Sequence, residues 1–173
     1  FETQAAIVVT DLTPKILRVN RAFEEITGYT AAEAVGQNPK ILSAPEIRKS
    51  KAFYEEMWAD LLSKGKWSGE VLDKRRNGEI YPKWLTITAV AAPDGAITHY
   101  VGSFFDITER KKVEQALRDA HDDLHRLLNS MAEGVYGINN DGNCTFVNRS
   151  FLQMLGYQND KEVLGKNMHE LIH

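Results

Sequence analysis

Apolar and polar positions recur along the chain with periods that predict its first elements. Apolar runs at Ala6–Thr10 and Ile16–Val19 flank a turn signal at 11–14, which predicts a β-hairpin. Asn20 then stands where a helix N-cap belongs, and Gly28 stands where that helix ends. The chain therefore opens with two strands followed by short helices.

A longer helix and three strands are predicted next. Apolar residues over 52–62 share one helical stripe that Gly65 ends, and they are Phe53, Met57, Trp58, Leu61 and Leu62. Asn77-Gly78 is a hairpin signal between the runs 71–75 and 80–88, and a last run covers 97–105. The order β-β-α-α-α-β-β-β predicts an α+β fold, a five-stranded antiparallel sheet with helices on one face.

The Asn77-Gly78 turn also predicts a register. A two-residue type I′ turn would pair Val71 with Trp84 and Leu72 with Lys83. One face then carries Glu70, Leu72, Leu85 and Ile87, and the other carries Val71, Trp84, Thr86 and Thr88. A carboxylate on the inward face needs a polar ligand or a salt bridge to Lys83 or Arg75, and both alternatives stay open for Glu70.

The opening pattern occurs twice. Val19-Asn20-Arg21 recurs as Val147-Asn148-Arg149, and Gly28-Tyr29 recurs as Gly156-Tyr157. The copies are much further apart than the units of a solenoid, so they indicate two domains of one kind. The second copy reaches His173 before its later strands begin.

Three motifs carry a family resemblance. The segments "ILRVNRAFEEITGY", "WSGEVLDKRRNGEIYPKWLTITAV" and "HYVGSFFDITERK" resemble, in this order, the PAS family with its C-terminal PAC motif. The resemblance covers 5–112, and the early half reappears over 132–173. It implies a PAS sensor domain at 1–106, a coiled-coil-like signalling helix at 107–131, and the N-terminal part of a second PAS domain at 132–173.

The resemblance also assigns faces. It places Leu85, Ile87, Tyr100, Gly102 and Phe104 toward the helices and any ligand. Gly102 marks either close packing or room for a ligand ring.

The opposite face keeps an apolar cluster of Trp84, Val71, Val101 and Phe105. In PAS proteins a flanking helix or a second subunit covers this face. A homodimer through the outer sheet face is therefore expected.

A flavin branch of the family is the most specific cofactor resemblance. Its redox and aerotaxis sensors have segments similar to Trp67-Ser68-Gly69, "RRNG" and "NPKIL". This makes FAD a candidate, with Trp67, Glu70 and Asn38 in its site. Asp73 departs from the Asn usual in that branch, and PAS domains without a known cofactor share the Trp-Ser-Gly segment. An empty or small-metabolite pocket is therefore the alternative.

Two other PAS cofactors are disfavoured by the sequence. The light-sensing LOV branch needs a cysteine for its FMN adduct, whereas Pro39 follows Asn38 here. Haem-binding PAS domains hold iron through a histidine on the long helix, and no histidine occurs over 44–65.

The linker carries a heptad pattern. Its apolar positions, spaced by four and three, are Val113, Leu117, Ala120, Leu124, Leu127 and Met131. This predicts a parallel dimer, with an ordinary amphipathic helix as the alternative. In PAS proteins the Asp of Asp106-Ile107-Thr108 pairs with a basic hairpin residue, here Arg75 or Lys74, and couples the sheet to the helix.

The composition limits which binding partners and which cell compartment are expected. The 173 residues carry a net charge of −3 with mixed signs, so nucleic acid and direct membrane contact are not expected. Cys144 is the single cysteine, which fits a cytosolic protein. The chain begins at Phe1 with no signal-peptide layout, which suggests a fragment of a longer protein.

The sequence predicts a sensory or regulatory module of a bacterial-type signalling protein. PAS segments of this kind precede histidine kinases of two-component systems or cyclic-dinucleotide enzymes such as diguanylate cyclases. A purely structural dimerisation module is the alternative. No nucleophile with its base, metal cluster or phosphate loop is identified, so the segment itself is expected to be non-catalytic. His121 and His125 are read as a solvated pair because no third metal ligand is identified.

Overall fold

The structure is a computed structural model that describes residues 5–43 and 49–172. The chain forms two compact units, one up to Lys111 and the other from Lys112 onward. In chain order, the first unit contains β1 Ala6–Thr10, β2 Ile16–Val19, α1 Arg21–Thr27, α2 Ala31–Ala34, a 3₁₀ turn Pro39–Leu42, α3 Lys51–Lys64, β3 Lys66–Lys74, β4 Ile80–Ala91 and β5 Ile97–Asp106. Helix α4, Thr108–Ser130, contains the boundary between the units.

The first unit is one antiparallel sheet in the order β2-β1-β5-β4-β3. Helices α1 and α2 contact β1 and β2, and α3 contacts β3 and β4. The core between them contains Val8, Ile16, Phe23, Leu42 and Phe104. The predicted α+β fold, with a five-stranded antiparallel sheet and a long helix after it, is confirmed.

The β3–β4 register differs from the predicted one. Val71 pairs with Lys83, Leu72 with Pro82 and Glu70 with Trp84, so the predicted register is wrong by one residue. A type I′ turn needs a positive φ at both Asn77 and Gly78, but within the described residues positive φ occurs only at glycines. The turn instead ends in Gly78 at φ 91°, which leaves three residues between Arg75 and Glu79.

This shift exchanges the faces of β3. Because Cβ atoms alternate along a strand, Glu70 and Leu72 point away from the helices and Val71 points toward them. The predicted inward position of Glu70 is therefore wrong. Leu72 takes the place of Val71 in the outer apolar patch, whose exposed members are Ile7, Leu72, Trp84 and Phe105.

The start of β3 and the buried face of α3 also differ from the prediction. Strand β3 begins at Lys66 rather than at 71, because its early residues pair with β4 through Trp67–Ile87 and Gly69–Leu85. Serine and glycine have low strand propensity, so this pairing is not visible in the sequence. On α3, Met57 and Leu61 are buried, whereas Leu62 is 61% exposed.

The second unit repeats the opening of the first. It contains β6 Tyr136–Ile138, β7 Cys144–Val147, α5 Arg149–Leu155, a 3₁₀ turn Asp160–Glu162 and α6 Met168–Ile172. Strands β6 and β7 form a two-stranded sheet. Its core contains Cys144, Phe151, Val163 and Met168.

The same asparagine organises both copies. Asn20 Oδ1 accepts from the backbone N–H groups of Ile7 and Phe23, at 2.8 and 3.0 Å. Asn148 Oδ1 accepts from Val135 and Phe151, at 2.8 and 2.9 Å. One amide therefore caps a helix and ties it to the preceding strand, which explains why this residue recurs.

Candidate functional site

A cavity of about 810 Å³ lies between the inner sheet face and the segments that cover it. Its volume falls in the range of small-molecule sites, roughly 300–1,000 Å³. The apolar part of its lining includes Val8, Leu42, Phe53, Met57, Trp58, Val71, Leu85, Ile87 and Phe104. The cavity is therefore mainly hydrophobic, and the side chains of the protein do not fill it.

Most of the predicted pocket residues meet in this cavity. Leu85, Ile87, Tyr100, Gly102, Phe104 and Asn38 all line it. Tyr100 packs edge-to-face against Trp58 of α3, with ring centroids 5.5 Å apart. Asn38 is exposed at the cavity rim, where its side chain accepts from the backbone N–H of Lys40 at 3.0 Å. Their role toward a ligand stays a prediction.

Gly102 is required by close packing. A Cβ placed there would lie 2.9 Å from Val8 Cγ1, on the neighbouring strand β1. The same atom would lie 3.9 Å from Leu85 Cδ1. The short distance to Val8 thus supports the packing interpretation of Gly102. The residue also lines the cavity.

Trp67 lies beside the cavity, outside its lining as formed by the described residues. Its ring folds over Gly69, where an added Cβ would lie 2.6 Å from the ring. The ring also packs edge-to-face against Phe53, with centroids 5.7 Å apart. The Trp-Ser-Gly segment therefore fastens β3 to α3, because only glycine leaves room for this ring on the same face.

Sequence reasoning missed a buried ion pair in the cavity wall. Lys83 of β4 and Asp73 of β3 form a direct salt bridge, and the two residues are 4% and 8% exposed. Lys83 Nζ also lies 4.1 Å from the centre of the Phe104 ring. Burial raises the pKa of Asp73, and the nearby ammonium of Lys83 opposes that rise.

The signal for this pair was present in the sequence. Lys83 continues the alternation of Leu85 and Ile87, so it belongs to the inner face. Asp73 joins it there because β3 residues with odd numbers face inward in the observed register. The register predicted from a type I′ turn puts Asp73 on the outer face, so it does not predict this ion pair.

Arg75 joins several elements at the end of β3. Its guanidinium forms an ion pair with Asp106 at 2.5 Å, and it also donates to the carbonyl of Ile26 at the end of α1. Its Nε atom donates to Glu79 at 3.1 Å. Arg75 rather than Lys74 is thus the partner of Asp106.

Asp106 continues this contact into helix α4. Its Oδ1 accepts from the backbone N–H of Thr108 at 2.8 Å, at the first residue of the helix. The N–H of Ile107 donates to the carbonyl of Pro82 at 3.1 Å. Burial opposes ionisation of Asp106, but the hydrogen bonds from Arg75 and Thr108 outweigh it and lower its pKa.

Glu70 makes a second link between the sheet and the helix. On the outer face its carboxylate forms an ion pair with Lys111 of α4 at 2.5 Å. Both side chains are partly exposed, so the interaction is weakened by solvent. Glu70 therefore contacts the linker and not Lys83 or Arg75, the two partners predicted for it.

Charged and aromatic residues that neighbour one another extend from the cavity to the linker. Tyr81 is fully buried and pairs with Asp73 across the hairpin. Its ring packs under the guanidinium of Arg75, with 4.0 Å between the guanidinium carbon and the ring centre. The contacts Lys83–Asp73, Tyr81–Arg75 and Arg75–Asp106 thus lie in sequence along one edge of the site.

The apolar stripe of α4 is exposed. Val113, Leu117 and Leu127 are 69%, 71% and 66% exposed. Near its end, α4 contacts the second copy through Asn148 Nδ2, which donates to the carbonyl of Leu128 at 2.8 Å.

Two further observations concern partners and metals. No helix in the described part of the chain is long and apolar enough to cross a membrane. Over residues 5–43 and 49–172, no three His, Cys, Asp or Glu side chains come together as a metal site. His121 and His125 do approach each other, with Nε2 atoms 3.2 Å apart.

The sheet, the helices on its inner face and the cavity between them define a domain of the PAS type. The chain belongs to the PAS domain family: a family model described as "PAS domain" matches residues 4–109. A second, described as "PAS fold", matches residues 122–173.

Curated relatives extend over much of the chain. It is 29% identical over 163 residues to a nitrogen fixation regulatory protein of Klebsiella oxytoca, covering 94% of this chain and 32% of that protein. It is 34% identical over 129 residues to a blue-light-activated histidine kinase of Rhizobium johnstonii, covering 73% of this chain and 36% of the kinase. The chain thus spans about a third of the length of these relatives.

A solved structure shows the same fold. A PAS domain of Colwellia psychrerythraea superposes with a TM-score of 0.56 at 28% identity, over 61% of this chain and 87% of that one.

Proposed function

We propose that this chain is a sensory module that binds a small molecule in the inner cavity and transmits the change through helix α4. The observation that carries the proposal is a series of neighbouring residues from the cavity wall to the start of α4. Asp73 pairs with Tyr81 in the sheet, Tyr81 packs on the guanidinium of Arg75, and Arg75 forms an ion pair with Asp106. A ligand that moved the Lys83–Asp73 pair would displace the neighbouring Tyr81 and, through Arg75, the carboxylate of Asp106 at the start of α4. The module itself performs no reaction in this proposal.

Relatives support a regulatory role for the whole protein. Their names describe a nitrogen fixation regulator and a histidine kinase activated by blue light. We propose that the parent protein is a multidomain cytoplasmic signalling protein with a separate output domain, a histidine kinase or a cyclic-dinucleotide enzyme.

Flavin remains the best defined cofactor candidate. The cavity volume suits a flavin ring, Asn38 lies at the rim and Trp67 lies beside the wall. Glu70 leaves this candidate site because it faces the linker. Relatives activated by blue light support flavin in general, whereas Pro39 in place of a cysteine disfavours the LOV-type FMN adduct. A colourless small metabolite is the alternative.

An absorption spectrum of the freshly purified protein tests the proposal, followed by mass spectrometry of molecules released by acid. The same measurements on Ile87→Trp, which fills the cavity, should show loss of the bound molecule. Thr88→Trp is the matched control, because Thr88 follows Ile87 on the strand and points to the outer face.

The outcomes separate the candidates. A flavin spectrum that Ile87→Trp abolishes and Thr88→Trp retains would support a flavin sensor. A colourless molecule with the same dependence would support a metabolite sensor. If the purified protein releases nothing and small-molecule screening by thermal shift finds no stabilising compound, the structural dimerisation module becomes the better explanation.

We also propose that the module is a homodimer. The exposed apolar stripe of α4 has heptad spacing, which a second copy of the same stripe would cover. The outer sheet patch of Ile7, Leu72, Trp84 and Phe105 offers a second apolar surface for the same pairing.

A further inference from the structure

Three lysines line the cavity from exposed positions. Lys40 belongs to the 3₁₀ turn, while Lys49 and Lys51 flank Ser50, the N-cap of α3. Lysine stems can pack along apolar surface while their ammonium groups stay in water. The lysines therefore form a positively charged rim, here called the lysine rim, around a hydrophobic cavity.

The charge of this rim is only partly compensated. Lys51 forms an ion pair with Glu55 at 3.3 Å. Lys40 and Lys49 have no carboxylate partner within residues 5–43 and 49–172. Lys49 instead approaches the ring of Phe53, at 5.8 Å from its centre.

The interior of the cavity does not offset this charge. Asp73 is the acidic residue of the described lining, and it is engaged by Lys83. The buried pair is neutral as a whole, so the net charge of the described lining comes from the lysine rim. An apolar cavity with a cationic rim is complementary to a molecule that is hydrophobic at one end and anionic at the other.

We infer that the cavity binds an anionic amphipathic small molecule, whose apolar body packs on the wall and whose carboxylate, sulfonate or phosphate group meets the lysine rim. This inference rests on the proposed ligand-binding function and adds the chemical class of the ligand. Because the rim is solvent-exposed, each lysine contributes modestly and the attraction weakens with salt.

A pair of dyes that differ only in charge provides the test. The probes are 8-anilinonaphthalene-1-sulfonate, which is anionic, and N-phenyl-1-naphthylamine, which has the same aromatic body without the sulfonate. Each is titrated by fluorescence into the 173-residue chain after charcoal dialysis, at low and at high salt. Binding that Ile87→Trp removes is assigned to the cavity, which separates it from binding to outer apolar surfaces.

Two triple variants isolate the role of the rim. One replaces Lys40, Lys49 and Lys51 with Gln. The control replaces Lys15, Lys66 and Lys74 with Gln, which removes the same charge from positions outside the described cavity lining.

The anionic dye should bind the cavity about tenfold more tightly than the neutral dye at low salt, the combined effect of three exposed charge pairs. This difference should shrink in high salt and in the rim variant, and persist in the control. Equal affinities for the two dyes, or a difference that the rim variant retains, would overturn the inference.

The test also separates this inference from the proposed function. If neither dye responds to Ile87→Trp, the anionic amphipathic class is wrong, while the absorption spectrum and the released molecule still decide the proposed function separately. If both dyes respond but bind equally well, only the anionic class of the ligand is wrong.

Discussion

At the scale of single residues, Asp106 joins the sheet to the linker through one carboxylate. One oxygen pairs with Arg75 and the other accepts from the backbone N–H of Thr108. The resemblance of Asp106-Ile107-Thr108 to the PAS motif predicted a basic partner in the hairpin. The choice of Arg75 over Lys74 depends on strand alternation, which puts Arg75 on the inner face beside Tyr81.

Replacing Asp106 with Asn tests this joint. The amide keeps an acceptor for Thr108 but loses the ion pair, so we expect the free energy of unfolding at pH 7 to fall by about 1–3 kcal/mol. The pKa of Asp106 is lowered by folding, so its ionised form stabilises the protein above the ordinary value of 3.8. This contribution is lost progressively as the pH falls from that value through the lowered pKa of Asp106 in the folded protein.

Urea unfolding of wild type and variant between pH 7 and pH 3 checks this expectation. The difference in free energy of unfolding between the two proteins should be constant near neutral pH. It should become smaller as the pH falls below the ordinary aspartate pKa. The control is Asp94→Asn, in a turn where an amide oxygen can still accept from Ala96, and it should change stability by less than about 0.5 kcal/mol. A deficit that persists unchanged to pH 3 would contradict the ion-pair explanation.

The buried pair of Lys83 and Asp73 makes a second prediction. Lys83→Met leaves a buried carboxylate without its cation and should destabilise the fold by about 2–5 kcal/mol at pH 7. The double variant Lys83→Met with Asp73→Leu should recover most of this loss, because an apolar pair needs no desolvated charge.

The sign of the pH dependence distinguishes this pair from Asp106. Burial raises the pKa of Asp73, so its protonated form favours folding and stability is lost as the pH rises through the raised pKa. Lys83→Met should therefore gain stability on acidification relative to the double variant. Urea unfolding of the wild type, Lys83→Met, Asp73→Leu and the double variant across pH gives the coupling energy directly, and additive single effects would contradict the pairing.

At the scale of elements, helix α4 is the feature that its sequence pattern describes best. The predicted linker at 107–131 corresponds to a helix over Thr108–Ser130, and the heptad positions share one exposed stripe. The other faces of α4 carry charged residues. Ion pairs between them, such as Glu114–Arg118, stabilise the helix along its surface. Dimer formation through this stripe stays a prediction.

Light scattering coupled to size exclusion tests the dimer. Leu117→Lys combined with Leu124→Lys places charges in the predicted seam and should convert a dimer into a monomer, or raise its dissociation constant at least tenfold. The control is Gln115→Lys with His125→Lys, which adds the same charge outside the stripe. A wild-type chain that is monomeric at high concentration would exclude this interface.

The β3–β4 hairpin shows where element prediction failed. The Asn-Gly signal placed the turn correctly, yet the turn contains three residues and shifts every side chain of β3 to the opposite face. Glu70 consequently contacts Lys111 on the linker. The sequence cannot decide between the two turns, because both accept a glycine at position 78 and the choice depends on pairing along the whole hairpin.

At the scale of the whole molecule, the sheets of the two units differ in size. The sheet, its covering helices and the cavity of the first unit are built from residues up to Asp106. The second unit has a two-stranded sheet and a small core. We therefore expect the first unit to fold without the second.

A shortened chain over 1–131 tests this independence. Its unfolding transition, followed by tryptophan fluorescence, should match that of the first unit in the longer chain within about 1 kcal/mol. Trp58, Trp67 and Trp84 all belong to the first unit, so the signal reports on it alone. A loss of several kcal/mol in the shortened chain would show that the second copy supports the first.

The sequence by itself determined the features that depend on local chemistry. Helix caps such as Asn20, glycines that require a positive φ such as Gly28, and the periods of apolar residues placed the strands, the helices and the repeat. Each of these signals acts over a few residues and survives in any tertiary context. The tertiary structure alone decided what depends on pairing between distant segments: the hairpin register, the outward position of Glu70, the buried Lys83–Asp73 pair and the cavity rimmed by lysines. These features are set by the free energy of packing the whole sheet against its helices, and no short stretch of sequence contains that information.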